Sequence, residues 1–249
     1  MSNPNTQRVI KGHELFSNYL DEERTIKVLL PPGYASDTNH SRRYPVLYCH
    51  DGNEFFTHGR IATLATQLME TGELSPLFIV ALAVNMKQRT ADYATFGERH
   101  QKYVQFVMQE AVPFIESTYR IAPEPEHQFM AGISLGAMTT LSLHLQYPEK
   151  FKRLLLFSGA YYEEQQNHVQ QIQRLNDLKT YMVVGRQETA VDTHNGKSDF
   201  YDLNLKMRDL LRLRGAEVDY HEADGTHIWG FWQSLIPSSL RWLEGHLSQ

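Results

Sequence analysis

The segment Phe129-Met130-Ala131-Gly132-Ile133-Ser134-Leu135-Gly136-Ala137 sets a serine between two glycines, each two residues away. A serine attacks a carbonyl carbon only when its hydroxyl stands clear of the backbone and a base lies beside it. A very tight turn from strand to helix lifts the hydroxyl in this way, and its crowding leaves no room for side chains two residues to either side. The same turn aims the first free N–H groups of the following helix at a developing oxyanion. Ser134 is the candidate nucleophile, and the N–H of Leu135 is the first candidate oxyanion donor.

On such a turn the partners follow in the chain order nucleophile, acid, histidine. His144, His168, His194, His221, His227 and His246 all follow Ser134. Of these, His227 lies in a glycine-containing turn after a late strand, Asp224-Gly225-Thr226-His227-Ile228-Trp229, where a loop can carry an imidazole back over the strand ends. His221 falls inside that strand and reads as structural. The acid is sought after the preceding strand, in Gly185-Arg186-Gln187-Glu188-Thr189-Ala190-Val191-Asp192. Glu188, nearest the strand end, is the first choice and Asp192 the alternative, with Asp199 and Asp202 further off. The acid would fix the imidazole tautomer and stabilise the imidazolium.

A second oxyanion donor is expected from the loop after an earlier strand, Tyr44-Pro45-Val46-Leu47-Tyr48-Cys49-His50-Asp51-Gly52-Asn53. The N–H of Asn53 is the choice there, with Gly52 the alternative. One such donor contributes about 3 to 4 kcal/mol to the transition state. His50 is read as a packing or loop-bracing residue and Cys49 as a buried, unreactive thiol. Neither a His-x-x-x-His pair, nor paired cysteines, nor a glycine-rich phosphate loop occurs, so a metal or nucleotide cofactor has no support.

The elements that must position these residues follow from changes in apolar period. Short apolar runs at Thr25–Leu30, Pro45–Cys49, Phe78–Val84, Gln128–Ala131, Arg153–Phe157, Thr180–Val184 and Glu217–His221 read as strands, several apolar throughout as in a parallel sheet covered on both faces. Tyr103–Thr118, Ser134–Tyr147 and Phe200–Leu213 read as helices. Alternation of the two implies βαβ units in a mostly parallel central sheet. Arg8–Glu14 before Thr25–Leu30 reads as an antiparallel hairpin at the sheet edge. Tyr161–Leu178 is expected as a surface excursion with one short helix, and Ala91–Gln101 as a loop.

Hydrophobic residues make up 41% and charged residues 21% of the 249, within the range of globular chains. The net charge of -5, without a basic run, argues against nucleic acid as a partner. The longest apolar run, Leu77 to Val84, is too short to cross a bilayer, and Met1–Thr6 lacks a signal peptide's basic and apolar regions. One cysteine excludes an internal disulfide and fits a reducing compartment. The expectation is one domain over residues 1–249, in the cytoplasm, with a small-molecule partner.

From about Thr25 to Leu243 the chain resembles the putative esterase family that includes esterase D and the enterobactin-type siderophore esterases. The likeness is carried by Tyr44-Pro45-Val46-Leu47-Tyr48 with Asp51-Gly52, Arg89-Thr90-Ala91-Asp92-Tyr93, Val112-Pro113-Phe114-Ile115-Glu116-Ser117-Thr118-Tyr119, the Ser134 segment, Tyr147-Pro148-Glu149-Lys150-Phe151, and Gly225-Thr226-His227 with Trp232. The resemblance implies an α/β-hydrolase fold and hydrolysis of carboxylic esters by Ser134, His227 and an acid, with no cofactor. Two departures stand out. Thr226 replaces a second glycine usual in the siderophore esterases, and the extended stretch Thr189–Ser198 leaves Glu188 and Asp192 both open. The family acts on siderophore lactones, acyl-sugar esters, formyl thioesters and simple acyl esters, so likeness alone selects no substrate. A siderophore trilactone esterase, an acyltransferase with the same triad, and a non-catalytic binding module are the alternatives.

Overall fold

The computed structural model describes residues 8–193 and 196–247; His194 and the opening segment Met1–Thr6 lie outside them. The chain begins with strands β1 (Ile10–Ser17), β2 (Glu22–Leu29) and β3 (Val46–Cys49), then helices α1 (Gly52–Thr57) and α2 (Ile61–Thr71). Strand β4 (Phe78–Leu82) leads to α3 (Arg89–Tyr93), α4 (Glu98–Gln105) and α5 (Val112–Thr118). Strand β5 (Gln128–Ile133), α6 (Leu135–Gln146), β6 (Arg153–Phe157), α7 (Glu163–Gln171) and β7 (Lys179–Gly185) follow. A small hairpin of β8 (Val191–Thr193) and β9 (Gly196–Ser198), then α8 (Phe200–Leu213), β10 (Glu217–Ala223) and α9 (Trp229–Leu247) complete the described chain.

Eight strands form one sheet in the order β1-β2-β4-β3-β5-β6-β7-β10. From β4 to β10 every neighbouring pair is parallel. β1 and β2 add the antiparallel edge, with Ile10 opposite Leu29 and Ser17 opposite Glu22. The mostly parallel sheet is the one the alternating pattern implied, and with its antiparallel edge it is the α/β-hydrolase architecture implied by the resemblance.

The central strands are apolar on both faces, and each face has its own core. Val46, Tyr48, Met130, Leu154 and Leu156 point into one, beneath the α4–α5 rod, α6 and α8. Leu47, Cys49, Phe129, Leu155 and Phe157 point into the other, beneath α1, α2 and α9. The period-2 alternation along each strand thus divides one apolar run between two cores.

The helix expected at Tyr103–Thr118 is the second part of a longer rod. It starts at α4 and passes through a π-helical turn, Phe106–Ala111, into α5. Pro113 has no N–H to give one turn back, and the wider turn sits directly before it.

Ala91–Gln101 corrects the sequence reading, which made it a loop. Most of it belongs to α3 and α4. Beside the buried Tyr93 ring, its anchors are charged. Arg24, 2% exposed, meets Asp92 at 2.6 Å, and Arg99 joins Asp92 at 2.7 Å and Glu22 at 2.8 Å. Between Ala91 and Gln101 the buried side chains include Asp92 and His100, so burial there leaves little apolar period to read.

After β3 the chain turns to β4 on one side and later to β5 on the other, so β3 and β5 flank the point where strand order reverses. The C-terminal ends of parallel strands open a crevice at such a point. Ser134 stands at the end of β5, and the Asp51-Gly52 turn at the end of β3.

Candidate active site

Ser134 joins β5 to α6 with φ 59° and ψ -121°, a conformation that costs a non-glycine residue roughly 1–3 kcal/mol. The surroundings hold it there. Its N–H donates to Phe157 O at 2.9 Å, and its carbonyl accepts from Ala160 N at 3.0 Å and Ala137 N at 3.1 Å. The glycine requirement is met most severely at Gly132, where a Cβ would stand 2.2 Å from the carbonyl oxygen of Gly136. At Gly136 the nearest atom to such a Cβ is Asp51 Oδ2 at 3.2 Å, a tight contact rather than a collision.

The structure brings Ser134, His227 and Glu188 together from three loops at one sheet edge. His227 Nε2 lies 3.0 Å from Ser134 Oγ, and His227 Nδ1 lies 2.6 Å from Glu188 Oε2. The two loops after β7 and β10 are stitched to each other: Arg186 N donates to Ala223 O at 2.9 Å and Gln187 N to Gly225 O at 3.2 Å. Gly185 permits that approach, since a Cβ there would meet Gly225 O at 2.3 Å. The imidazole is clasped between Phe200, with ring centroids 4.3 Å apart, and Trp232, perpendicular to it at 4.8 Å.

Glu188 is 1% exposed, and its second oxygen is occupied as well. Oε1 accepts from Ser158 Oγ at 2.7 Å and from Gly185 N at 2.8 Å. The other acids lie elsewhere. Asp192 is exposed on the β8–β9 hairpin at a cavity rim. Asp199 caps α8 by accepting from Asp202 N at 2.9 Å, and Asp202 pairs with Lys206 at 2.7 Å.

Leu135 is the first residue of α6 and Asn53 the second of α1, positions where helix N–H groups have no acceptor one turn back. Asn53 is not among the residues lining the cavities beside Ser134; Asp51 is, and its own N–H already donates to Tyr93 Oη at 2.9 Å. Gly52 packs tightly on β4, where a Cβ would fall 2.4 Å from the backbone of Ala81. His50 is fully buried with Nδ1 2.8 Å from Tyr103 Oη, and burial pushes its pKa down to about 3. His221 lies on β10 and packs over Tyr181 at 4.7 Å. Cys49 is buried and unpaired, and burial alone pushes its thiol pKa up.

Two cavities flank the serine. One, of about 350 Å³, is walled by Leu135, Tyr162, Val191 and Phe200. The other, of about 490 Å³, is walled by Glu54, Met86, Ile228 and Trp229. Ser134, His227 and Arg89 line both. Arg89 grips Asp51 with two bonds of 2.7 and 2.6 Å. Burial opposes the guanidinium charge, but the Asp51 carboxylate outweighs it and raises the pKa. Among the described residues, no group of three or more His, Cys, Asp or Glu side chains is arranged to hold a metal ion, and no helix is long and apolar enough to cross a membrane.

Ser158 and Phe200 are not singled out by any motif or spacing in the sequence, and Arg89 and Trp232 are marked there only by the resemblance. Ser158 carried one local mark, its place directly after a buried strand.

A mostly parallel sheet with a strained strand-to-helix serine defines the class, the α/β-hydrolases. The family described as Putative esterase matches residues 17–243, and the chain belongs to that family of carboxylic ester hydrolases. A relative from Bacillus subtilis (strain 168), "Uncharacterized protein YjcH", is 29% identical over 234 residues, covering 93% of this chain and 96% of its own. Among solved structures, a ferulic acid esterase superposes with a TM-score of 0.80 at 19% identity, over 96% of this chain and 99% of that one. The enterobactin esterase of Shigella flexneri gives a TM-score of 0.80 at 17% identity, over 96% of this chain but 60% of that one.

Proposed function

We propose that the protein cleaves carboxylic esters through an acyl-enzyme formed on Ser134, with His227 as general base and Glu188 as the triad acid. The observation that carries this reading is the unbroken relay of 2.6 Å from Glu188 to His227 and 3.0 Å from His227 to Ser134. His227 Nε2 takes the Ser134 proton as Oγ attacks the carbonyl carbon. The negative oxygen of the tetrahedral intermediate is held by the N–H groups of Leu135 and, from the first turn of α1, Asn53. His227 then returns the proton to the leaving alcohol, and water repeats the cycle on the acyl-enzyme. Glu188 keeps the proton of the neutral imidazole on Nδ1 and stabilises the imidazolium.

The cavities on either side of Ser134 suit an ester with a group on each side of its carbonyl, one for acyl and one for alcohol. The ferulic acid and enterobactin esterases that share the fold differ in substrate, so neither selects the acyl group here. The reading includes a single domain built on one sheet. It is also of a cytoplasmic enzyme acting on a small-molecule ester, with neither nucleic acid nor membrane as partner.

The test is labelling with a fluorophosphonate probe. The wild-type protein should be labelled and lose activity in parallel, and Ser134→Ala should show neither labelling nor hydrolysis while unfolding at an unchanged temperature. Labelling that persists in a folded Ser134→Ala protein would falsify the assignment.

A further inference from the structure

Glutamate has one more rotatable bond than aspartate, so a glutamate in this role has more freedom to lose before it addresses the imidazole correctly. The structure removes that freedom through a buried chain behind the acid. Trp232 Nε1 donates to Ser158 Oγ at 2.8 Å, and Ser158 Oγ donates to Glu188 Oε1 at 2.7 Å. Ser158 is 0% and Trp232 4% exposed, so water does not compete for these bonds. The indole N–H occupies the acceptor side of the hydroxyl, which directs the hydroxyl's only proton to the carboxylate. With Gly185 N also on Oε1 at 2.8 Å, that oxygen has two donors, and Oε2 is left to face His227.

The backbone is arranged to hold the hydroxyl there. Ser158 has φ 43°, in the left-handed region, and its N–H donates to Val183 O at 2.7 Å. The next residue is clamped by buried Asn204, which accepts from Gly159 N at 3.0 Å and donates to Gly159 O at 2.9 Å. A non-glycine residue kept in this region, with a neighbour fixed on both backbone groups, points to a side chain that the site requires. Trp232 has two contacts to the relay, since its ring also packs perpendicular to the His227 imidazole.

We infer that Ser158 is a positioning residue for the triad acid: its hydroxyl, oriented by the Trp232 indole, selects the Glu188 oxygen that addresses His227. This rests on the triad reading above.

The test uses Ser158→Ala and Ser158→Gly in the full chain, with folded sites counted by burst titration. Glycine relieves the left-handed backbone, so the second variant keeps its fold even where alanine does not. Both should lower kcat about 10- to 100-fold, the range carried by one hydrogen bond to a charged group, and leave KM within about twofold. Combining Ser158→Ala with Glu188→Gln decides between positioning and general structure. If Ser158 acts through Glu188, the double variant should be no slower than Glu188→Gln alone, within about twofold. Independent, multiplying losses, or a wild-type kcat in both Ser158 variants beside a crippled Glu188→Gln, overturn the inference and leave the triad standing. A near-normal Glu188→Gln overturns the triad reading itself.

Discussion

Replacing Glu188 by glutamine should lower kcat/KM by roughly 10³- to 10⁴-fold, whereas Asp192→Asn should stay within about threefold of wild type. The size of the first effect follows from what surrounds each atom of the carboxylate. Oε1 accepts from two donors, Ser158 Oγ and Gly185 N, while Oε2 faces His227 Nδ1. A glutamine keeps both donors satisfied only by placing its oxygen at the Oε1 position. Its NH2 then points at Nδ1 and donates to it, so the imidazole proton must move to Nε2. In the proposed mechanism Nε2 accepts the Ser134 proton, and in this tautomer it has no free lone pair. Flipping the amide restores the tautomer but turns NH2 against the Gly185 N–H and the Ser158 hydroxyl. Each donor so left unpaired costs about 1–3 kcal/mol, which keeps the flipped form to a few per cent or less. The lost negative charge beside the imidazolium multiplies the penalty. Asp192, exposed on its hairpin, enters none of these bonds. The assay is kcat/KM for both variants on one short-chain chromogenic ester, with labelled sites counted. Glu188→Gln within tenfold of wild type, or Asp192→Asn the slower of the two, would refute the reasoning.

His227→Ala should lose several orders of magnitude in kcat with little change in unfolding temperature, since the ring lines the cavities; activity near wild type in the steady state would move the base elsewhere. Gly132→Ala should destabilise by about 3 kcal/mol or fail to fold, because its Cβ would lie 2.2 Å from the Gly136 carbonyl oxygen; a urea midpoint equal to wild type would show that the elbow relaxes freely. Stability should also fall with pH before the carboxylates titrate. Burial lowers the pKa of His50 to about 3 and also lowers those of His100 and His144, so all three are neutral when folded and charge once unfolded. With folded values depressed, their contribution is fully present above the unfolded value of about 6.5 and is lost as pH falls from there towards 3. The urea midpoint should therefore decline between about pH 7 and pH 5, and less steeply in His50→Gln; a flat profile over that window contradicts the account.

Most of the sheet was legible because the central strands carry their evidence locally. In β6 the four consecutive residues Leu154, Leu155, Leu156 and Phe157 are apolar, a pattern that suits a strand buried on both faces. The elbow was legible for a steric reason: a strained turn that brings Gly132 against Gly136 admits almost no other residues. Chain order and distance from a strand end point to His227 and Glu188, and the parallel strands convert those spacings into proximity at one edge. The helices α2 and α9 were not delineated. The first residues of α9 overlap the histidine loop, and Pro237 interrupts the pattern inside it.

What stayed hidden depends on pairs far apart in sequence. The α3–α4 region packs through Arg24, Asp92, Arg99 and Glu22, and a buried ion network of that kind reads residue by residue as a solvated loop. Ser158 looks like any small residue after a strand. Its meaning comes from Glu188, 30 positions on, and Trp232, 74 positions on. The choice between Glu188 and Asp192 had the same character. Loop length alone ranked them, but the two donors on Oε1 and the stitched loops around Gly185 and Gly225 are what carry one carboxylate inward and leave the other at the rim. A nucleophile that must be strained marks its own neighbours, whereas an acid that must be oriented is marked by residues elsewhere in the chain, and sequence spacing does not record those.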